Sequence, residues 1–278
     1  LFSGDLGLSD RPILRDPDKP PPVDVVVMET TYGDRQHKQL QPSIEELYLA
    51  INETMQRGGN VIIPTFALER AQELLFYLHA GKTQGVLPPF LQVFLDSPMA
   101  ISATEIFRRH AECYDEETAE LFASGHDPFR FSGLHFSRET AESMAINQVS
   151  NGAVIMAGSG MCTGGRVRHH LKHHLGREHS SVVFVGYAAR GTLARRIVDG
   201  AKSVTIYGDD YPVRAQIHTI GGFSAHAGQS ELLAWHKHTG NPETTFLVHG
   251  EKDSMASFAR LLKNTRVEMP ELHQAFEL

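Results

Sequence analysis

Val25-Val26-Val27-Met28-Glu29-Thr30-Thr31-Tyr32-Gly33 is the stretch whose reading decides the fold. Its first half, begun at Val23 and broken only by Asp24, reads as a buried strand. Its second half puts a carboxylate, Glu29, where that strand reaches the rim of a sheet. Three distant stretches share this build: Ser3-Gly4-Asp5-Leu6-Gly7, Gly221-Gly222-Phe223-Ser224-Ala225-His226 and Leu247-Val248-His249-Gly250-Glu251. Each sets an Asp, Glu or His at the end of an apolar run. Asp and His are ligand types for hard cations and zinc. A second His with a Glu partner is what acid–base work on a phosphate needs.

Outward from these motifs the pattern alternates. Residues 12–24 are proline-rich and polar, a connection. Ser43-Ile44-Glu45-Glu46 reads as a capping box, followed by Ile44, Leu47, Tyr48, Ile51 and Met55 at helical spacing, with Gly58-Gly59 as the stop. Val61–Pro64, Gln92–Leu95, Ala153–Ala157, Val182–Val185, Val204–Tyr207, Ala215–Ile220 and Thr244–Val248 read as strands. Helices are expected over 67–79, 98–110, 166–175, 192–199, 229–239 and 254–263, and 115–137 as irregular or short helical structure. Strand–helix–strand repetition implies a mainly parallel sheet covered on both faces.

Composition narrows the class. The chain has 278 residues, 41% hydrophobic and 21% charged, ordinary for a globular protein. No apolar run approaches the roughly 20 residues of a membrane span. Residues 1–25 carry charges and prolines rather than a signal-peptide core. Two cysteines, Cys113 and Cys162, make no disulfide framework, so a reducing cytoplasm is expected. The formal charge of −7 does not suit a protein that coats duplex DNA. Basic residues concentrate instead between Arg166 and Arg196, which suits either a polyanion held in a channel or a solvated helix face.

In the order given, the motifs resemble the β-CASP branch of the metallo-β-lactamase superfamily, zinc-dependent nucleases acting on RNA and in some members on DNA. The likeness is greatest to prokaryotic RNA-processing enzymes related to the cleavage-and-polyadenylation endonuclease, and it covers essentially the whole chain. Ser-Gly-Asp-Leu-Gly is similar to the family's fourth lactamase motif, Glu-Thr-Thr-Tyr-Gly-Asp-Arg to motif A, Phe-Ser-Ala-His-Ala to motif B and Val-His-Gly-Glu to motif C. The resemblance implies the C-terminal half of an αββα sandwich, residues 1–33 and 217–278, with an inserted doubly wound parallel-sheet β-CASP domain over 34–216. It implies that Asp5 bridges two zinc ions, that His249 is a terminal ligand, and that His226 is catalytic with Glu29 orienting it. Single-stranded RNA is the implied substrate, and a homodimer is left open. The family's His-x-His-x-Asp-His signature is absent and would lie upstream of Asp5. The chain is therefore expected to hold only part of a two-zinc site and to be inactive alone.

Gly158-Ser159-Gly160-Met161 with Gly164-Gly165 sits between a strand and a helix, where backbone amides can hold a phosphate. Ser159, Gly160, Arg190 and Ser224 are the candidate RNA-phosphate contacts; a tight turn at the loop and a helix cap at Thr192 are the plain alternatives. His169, His170, His173 and His174 include i,i+4 pairs, but no carboxylate or cysteine lies in that run to complete a metal site. Rival functions are a non-catalytic scaffold, which would have lost ligands; a small-molecule metallo-hydrolase, which needs no long insertion; and a nucleotide-binding module, against which the irregular glycine spacing counts.

Overall fold

The computed structural model describes residues 1–277. Along the chain come β1 (Val25–Glu29), α1 (Leu40–Gln56), β2 (Val61–Pro64), α2 (Arg70–Thr83), β3 (Gln92–Asp96), α3 (Pro98–Arg109), α4 (Glu116–Ala123), β4 (Leu134–Phe136) and α5 (Thr140–Ile146). Then follow β5 (Ala153–Ala157), α6 (Val167–His174), β6 (Ser181–Phe184), α7 (Leu193–Val198), β7 (Ser203–Ile206), β8 (Asp209–Pro212) and β9 (Gln216–Thr219). The last elements are α8 (Gln229–His238), β10 (Thr244–Val248), α9 (Lys252–Ala259) and β11 (Arg266–Glu268). Leu1–His37 with Ala225–Leu278 form one compact unit, and Lys38–Ser224 the other. The fold is α/β with parallel sheets.

The first unit is built on a parallel sheet in the order β1-β10-β11, with Glu29 beside Val248. The chain start adds to it: the Ser3 amide donates to Val27 O at 2.9 Å and the Val27 amide to Leu1 O at 2.8 Å. Three chain segments thus run side by side and end together. Alternation decides the faces. Val26, Met28 and Leu247 point into a core with Leu6, Leu232 and Phe258, residues of the flanking loop and helices. Val25, Val27, Phe246 and Val248 line an apolar cleft on the opposite face. Of the implied sandwich, the described residues hold this one sheet.

The second unit carries six parallel strands in the order β4-β3-β5-β2-β6-β9. Its central strands β2, β5 and β6 are buried throughout, as near-continuous apolar runs in a doubly covered sheet should be. Ile62, Ile155, Val182 and Phe184 face a core shared with Ile146 of α5, Val167 and Leu171 of α6, and Ala194 and Ile197 of α7. Connections β2-α2-β3 and β3-β4 move toward one edge; those through α5, α6 and α7 move toward the other. Right-handed crossovers then put α2 and α3 on one face and α5, α6 and α7 on the other.

Several expectations change. Helix α1 starts at Leu40, three residues before Ser43, because Pro42 falls in the first turn, where its missing N–H has no intrahelical role. Ser43 is therefore no cap: its hydroxyl donates to Gln39 O at 2.9 Å. The helix cap offered as the alternative at Thr192 is present, its hydroxyl accepting from the Arg195 amide, and Ser97 caps α3 in the same way by accepting from the Ala100 amide. Strand β7 leaves the parallel sheet and pairs antiparallel with β8 across Tyr207-Gly208, both at positive φ as a tight hairpin requires. Strand β9 pairs with β6, Val182 beside Ile217, so the six-stranded sheet runs on to Thr219 and the units divide at Ser224 rather than at 216.

The histidine run of α6 faces inward at two positions. His170 meets Asp96 (Nε2 to Oδ2, 2.7 Å) and Asn147 (Nδ1 to Oδ1, 3.0 Å). Burial, with the charge of Arg177 next, pushes His174 down to about 3. The unfolded chain takes up a proton near pH 6.5 that folded His174 refuses until about pH 3. Its contribution is therefore complete above pH 6.5 and is lost as pH falls toward 3, at about 1.4 kcal/mol per pH unit. Urea unfolding at pH 6.5 and pH 5 is expected to show His174→Leu losing less stability than the parent by about 2 kcal/mol over that interval.

Candidate active site

Four side chains gather at the carboxyl rim of the first unit's sheet because their segments run parallel and end together. Asp5 follows the pairing segment 1–3, Glu29 ends β1, and His249 follows β10. His226 enters from the turn before α8. His249 stands at φ +49°, a strained conformation for a non-glycine residue. Gly250 lets the chain pass Thr30 there, since a Cβ would lie 2.6 Å from its hydroxyl.

Glu29 is buried, and both its oxygens are used. The Leu6 amide donates to Oε1 at 2.7 Å, and His226 Nδ1 lies 3.0 Å from each oxygen. Burial pushes the Glu29 carboxyl up, but the hydrogen bond and charge of His226, with Thr31 and Leu6, outweigh it and hold it below the ordinary carboxylate value. Glu29 is therefore ionised near neutrality and can only accept, which assigns the proton to His226 Nδ1. Nε2 is the nitrogen left for other partners.

Asp5 and His249 are exposed, with Nδ1 of His249 3.3 Å from Oδ1 of Asp5. One donor atom from each of Asp5, His226 and His249 lies within 4.8 Å of the others. Tetrahedral zinc holds its donors about 3.4 Å apart. The Asp5–His249 edge already meets that spacing. A carboxylate with two imidazoles is a zinc-type donor set. The set has three members; the sequence assigned metal binding to two, with His226 apart from them.

Thr31 was not foreseen. Its hydroxyl donates to His249 O at 3.1 Å and lies 3.3 Å from His226 Nδ1 and 3.4 Å from His249 Nδ1, spacing the two rings. Strand periodicity, which puts Thr31 on the Glu29 side, was the available signal.

In the second unit, Ser159 and Gly160 lie in the loop after β5, at the carboxyl rim of the six-stranded sheet. The loop folds on itself: the Val167 amide donates to Gly158 O at 3.0 Å and the Cys162 amide to Ser159 O at 3.0 Å. Arg190 is exposed in the loop after β6. Ser224 is buried, only 4% exposed, and stands apart from that loop in the sequence. Arg166, counted in the basic patch, is committed elsewhere: it donates to Asp96 Oδ1 at 2.8 Å and to Ser137 O at 2.9 Å. Asp96 supplies the carboxylate that the histidine run lacked, from a strand 74 residues away.

Fold and site together define an α/β protein with a metallo-hydrolase type of donor set on a sheet rim. Residues 71–197 match the Beta-Casp domain, and residues 210–270 the Zn-dependent metallo-hydrolase RNA specificity domain. The chain is 42% identical over 262 residues to Ribonuclease TTHA0252 of Thermus thermophilus, covering 94% of this chain and 59% of that protein. It is 34% identical over 248 residues to Transcription termination factor FttA of Methanocaldococcus jannaschii, covering 86% of this chain and 39% of that protein. The factor of the same name from Methanothermobacter thermautotrophicus is 33% identical over 266 residues, with 89% and 40% covered. The chain spans about two to three fifths of the length of these relatives. It belongs to the β-CASP family of the metallo-β-lactamase superfamily.

Proposed function

We propose that the protein hydrolyses phosphodiester bonds of single-stranded RNA at the rim that carries Asp5, Glu29, His226 and His249. The observation that carries this is the Glu29–His226 pair beside the Asp5–His249 pair, an oriented proton-transfer group adjoining a zinc-type donor set. The relatives named ribonuclease and termination factor support RNA as the substrate class.

Asp5 and His249 would hold zinc, with Asp5 able to bridge a second ion because its two oxygens can reach two metals. A bound zinc supplies Lewis acidity at a phosphoryl oxygen and activates water near neutral pH. The chain's own residues do the rest. Glu29 accepts the Nδ1–H of His226 and so fixes the ring; in the imidazolium form Nε2 carries a second proton, which it can give to the leaving oxygen or direct at charge on phosphate. Thr31 holds the His226 and His249 rings apart. Amides of the loop carrying Ser159 and Gly160 would hold a backbone phosphate, with Arg190 as a bidentate partner; Ser224, being buried, is left out of that set.

A second reading has its own support: the three-donor cluster fits His226 as a further metal ligand, oriented by a carboxylate as ligating histidines commonly are.

Cobalt titration of the chain and cleavage assays on the whole protein test the proposal together. The chain is expected to bind one cobalt ion or more, with affinity lowered about 10-fold or more by Asp5→Ala and by His249→Ala. The whole protein is expected to cleave a fluorescent single-stranded oligoribonucleotide, to stop on chelation and to recover with zinc. Cleavage undiminished by chelator, or metal binding indifferent to both substitutions, would overturn it.

A further inference from the structure

Strands β2 and β5 are neighbours, but the segments that follow them diverge. The chain after β2 turns toward β3 through α2, and the chain after β5 turns toward β6 through α6. Because α2 and α6 cover opposite faces, the chain leaves the carboxyl ends of β2 and β5 toward opposite faces of the sheet. Open parallel sheets take their ligands at such a point.

The residues there have a particular make-up. The Thr65 amide donates to Ala157 O at 3.0 Å, so the pairing of β2 with β5 runs one residue past Pro64 and sets Phe66 beside the glycine loop. Phe66 is 45% exposed, although it adjoins the rim of a sheet whose strands are buried. Its ring lies on Gly160: a Cβ there would be 2.7 Å from Phe66 Cε2. The same ring atom is 3.8 Å from where a Cβ of Gly186, after β6, would lie. The ring thus packs against Gly160 with one edge toward Gly186, and Phe66 keeps close to half of its surface in solvent. The Ser159 amide already donates to Gly164 O at 3.4 Å. An exposed aromatic ring beside this loop presents two complementary features: a face for a planar heterocycle and, in the loop amides that the turn does not use, donors for an anion. A nucleotide carries both partners.

We propose that this rim carries a nucleotide subsite in which the Phe66 ring stacks on one RNA base while the neighbouring phosphate lies on the loop of Ser159 and Gly160. The subsite rests on the RNA reading above, and it gives the second unit a contact to the base where that reading supplied only contacts to phosphate. Stacking on a π-face tolerates every base, so the subsite would fix the position of the strand without reading its sequence.

The test is equilibrium binding in chelator, where no cleavage intervenes, of short single-stranded oligoribonucleotides carrying 2-aminopurine at successive positions. The parent chain is expected to quench the probe at one position above the others. Phe66→Ala is expected to abolish that quenching and to weaken binding about 5- to 150-fold, the range of one base–aromatic stack. Phe66→Tyr is expected to keep both signals, and Phe66→Leu to lose both, since leucine keeps the apolar bulk but not the π-face. The ring is half-exposed, so unchanged thermal melting of the variants is expected and separates binding from folding. If Phe66→Ala binds and quenches like the parent, or Phe66→Leu retains both signals, the subsite is overturned while RNA binding stands. If the parent chain binds no oligoribonucleotide at all, the RNA reading falls and the subsite with it.

Discussion

His226→Ala is expected to lower RNA cleavage by the whole protein about 10²- to 10⁴-fold, the contribution of one positioned acid–base group, while zinc content stays unchanged. The argument is geometric. Glu29 is buried and ionised, and it holds Nδ1 at 3.0 Å from both oxygens, so the ring has one orientation and one tautomer. Removing the imidazole removes both ring nitrogens but leaves Asp5 and His249 in place. Metal analysis beside the kinetics decides between the two readings of His226. Zinc retained with activity lost supports proton transfer. Zinc lost in proportion to activity, with the rate per bound ion preserved, would make His226 a ligand and sink the role assigned to it here.

Gly165→Ala is expected to destabilise the second unit by about 3 kcal/mol or more, among the larger single-residue effects. Gly165 has φ +71°, which an L side chain adopts only with strain. A Cβ there would also lie 2.1 Å from Gly158 O and 2.9 Å from the Ser159 amide nitrogen. Those are backbone atoms, so no rotamer change relieves the collision, and the loop proposed to hold phosphate would have to open. Gly164→Ala is the control: a Cβ at Gly164 meets nothing within 4 Å, and a change of less than about 1 kcal/mol is expected. Urea unfolding of both variants reads the difference. Equal midpoints for Gly165→Ala and the parent would show that the loop is not closed as described.

Phe66 and Gly165 also show where local pattern stops being informative. An apolar residue after a strand and a glycine in a turn are unremarkable one at a time. Their significance comes from the crossing of connections over β2 and β5, which brings residues from 65, 158 and 186 to one rim. Asp96 makes the same point. In the sequence it opens a helix; in the fold it is buried with Arg166, His170 and Ser143, and these partners hold its carboxyl below the ordinary value although burial alone would raise it. No spacing rule links Asp96 to a histidine on a helix so far along the chain. Strands β8 and β11 escaped notice because they are short and polar, and what stabilises them is a partner strand rather than their own residues.

By itself the sequence determined the alternation of buried strands and amphipathic helices and the residue types stationed at strand ends, and it offered the cap at Thr192 as one of two readings, because burial period and capping chemistry act over a few neighbouring residues. Only the tertiary structure decided which of those ends share a rim. Parallel pairing of residues 1–3, β1 and β10 brings Asp5, Glu29 and His249 level, and the turn before α8 delivers His226 to Glu29, because hydrogen-bonded register fixes the position of side chains that lie more than two hundred residues apart.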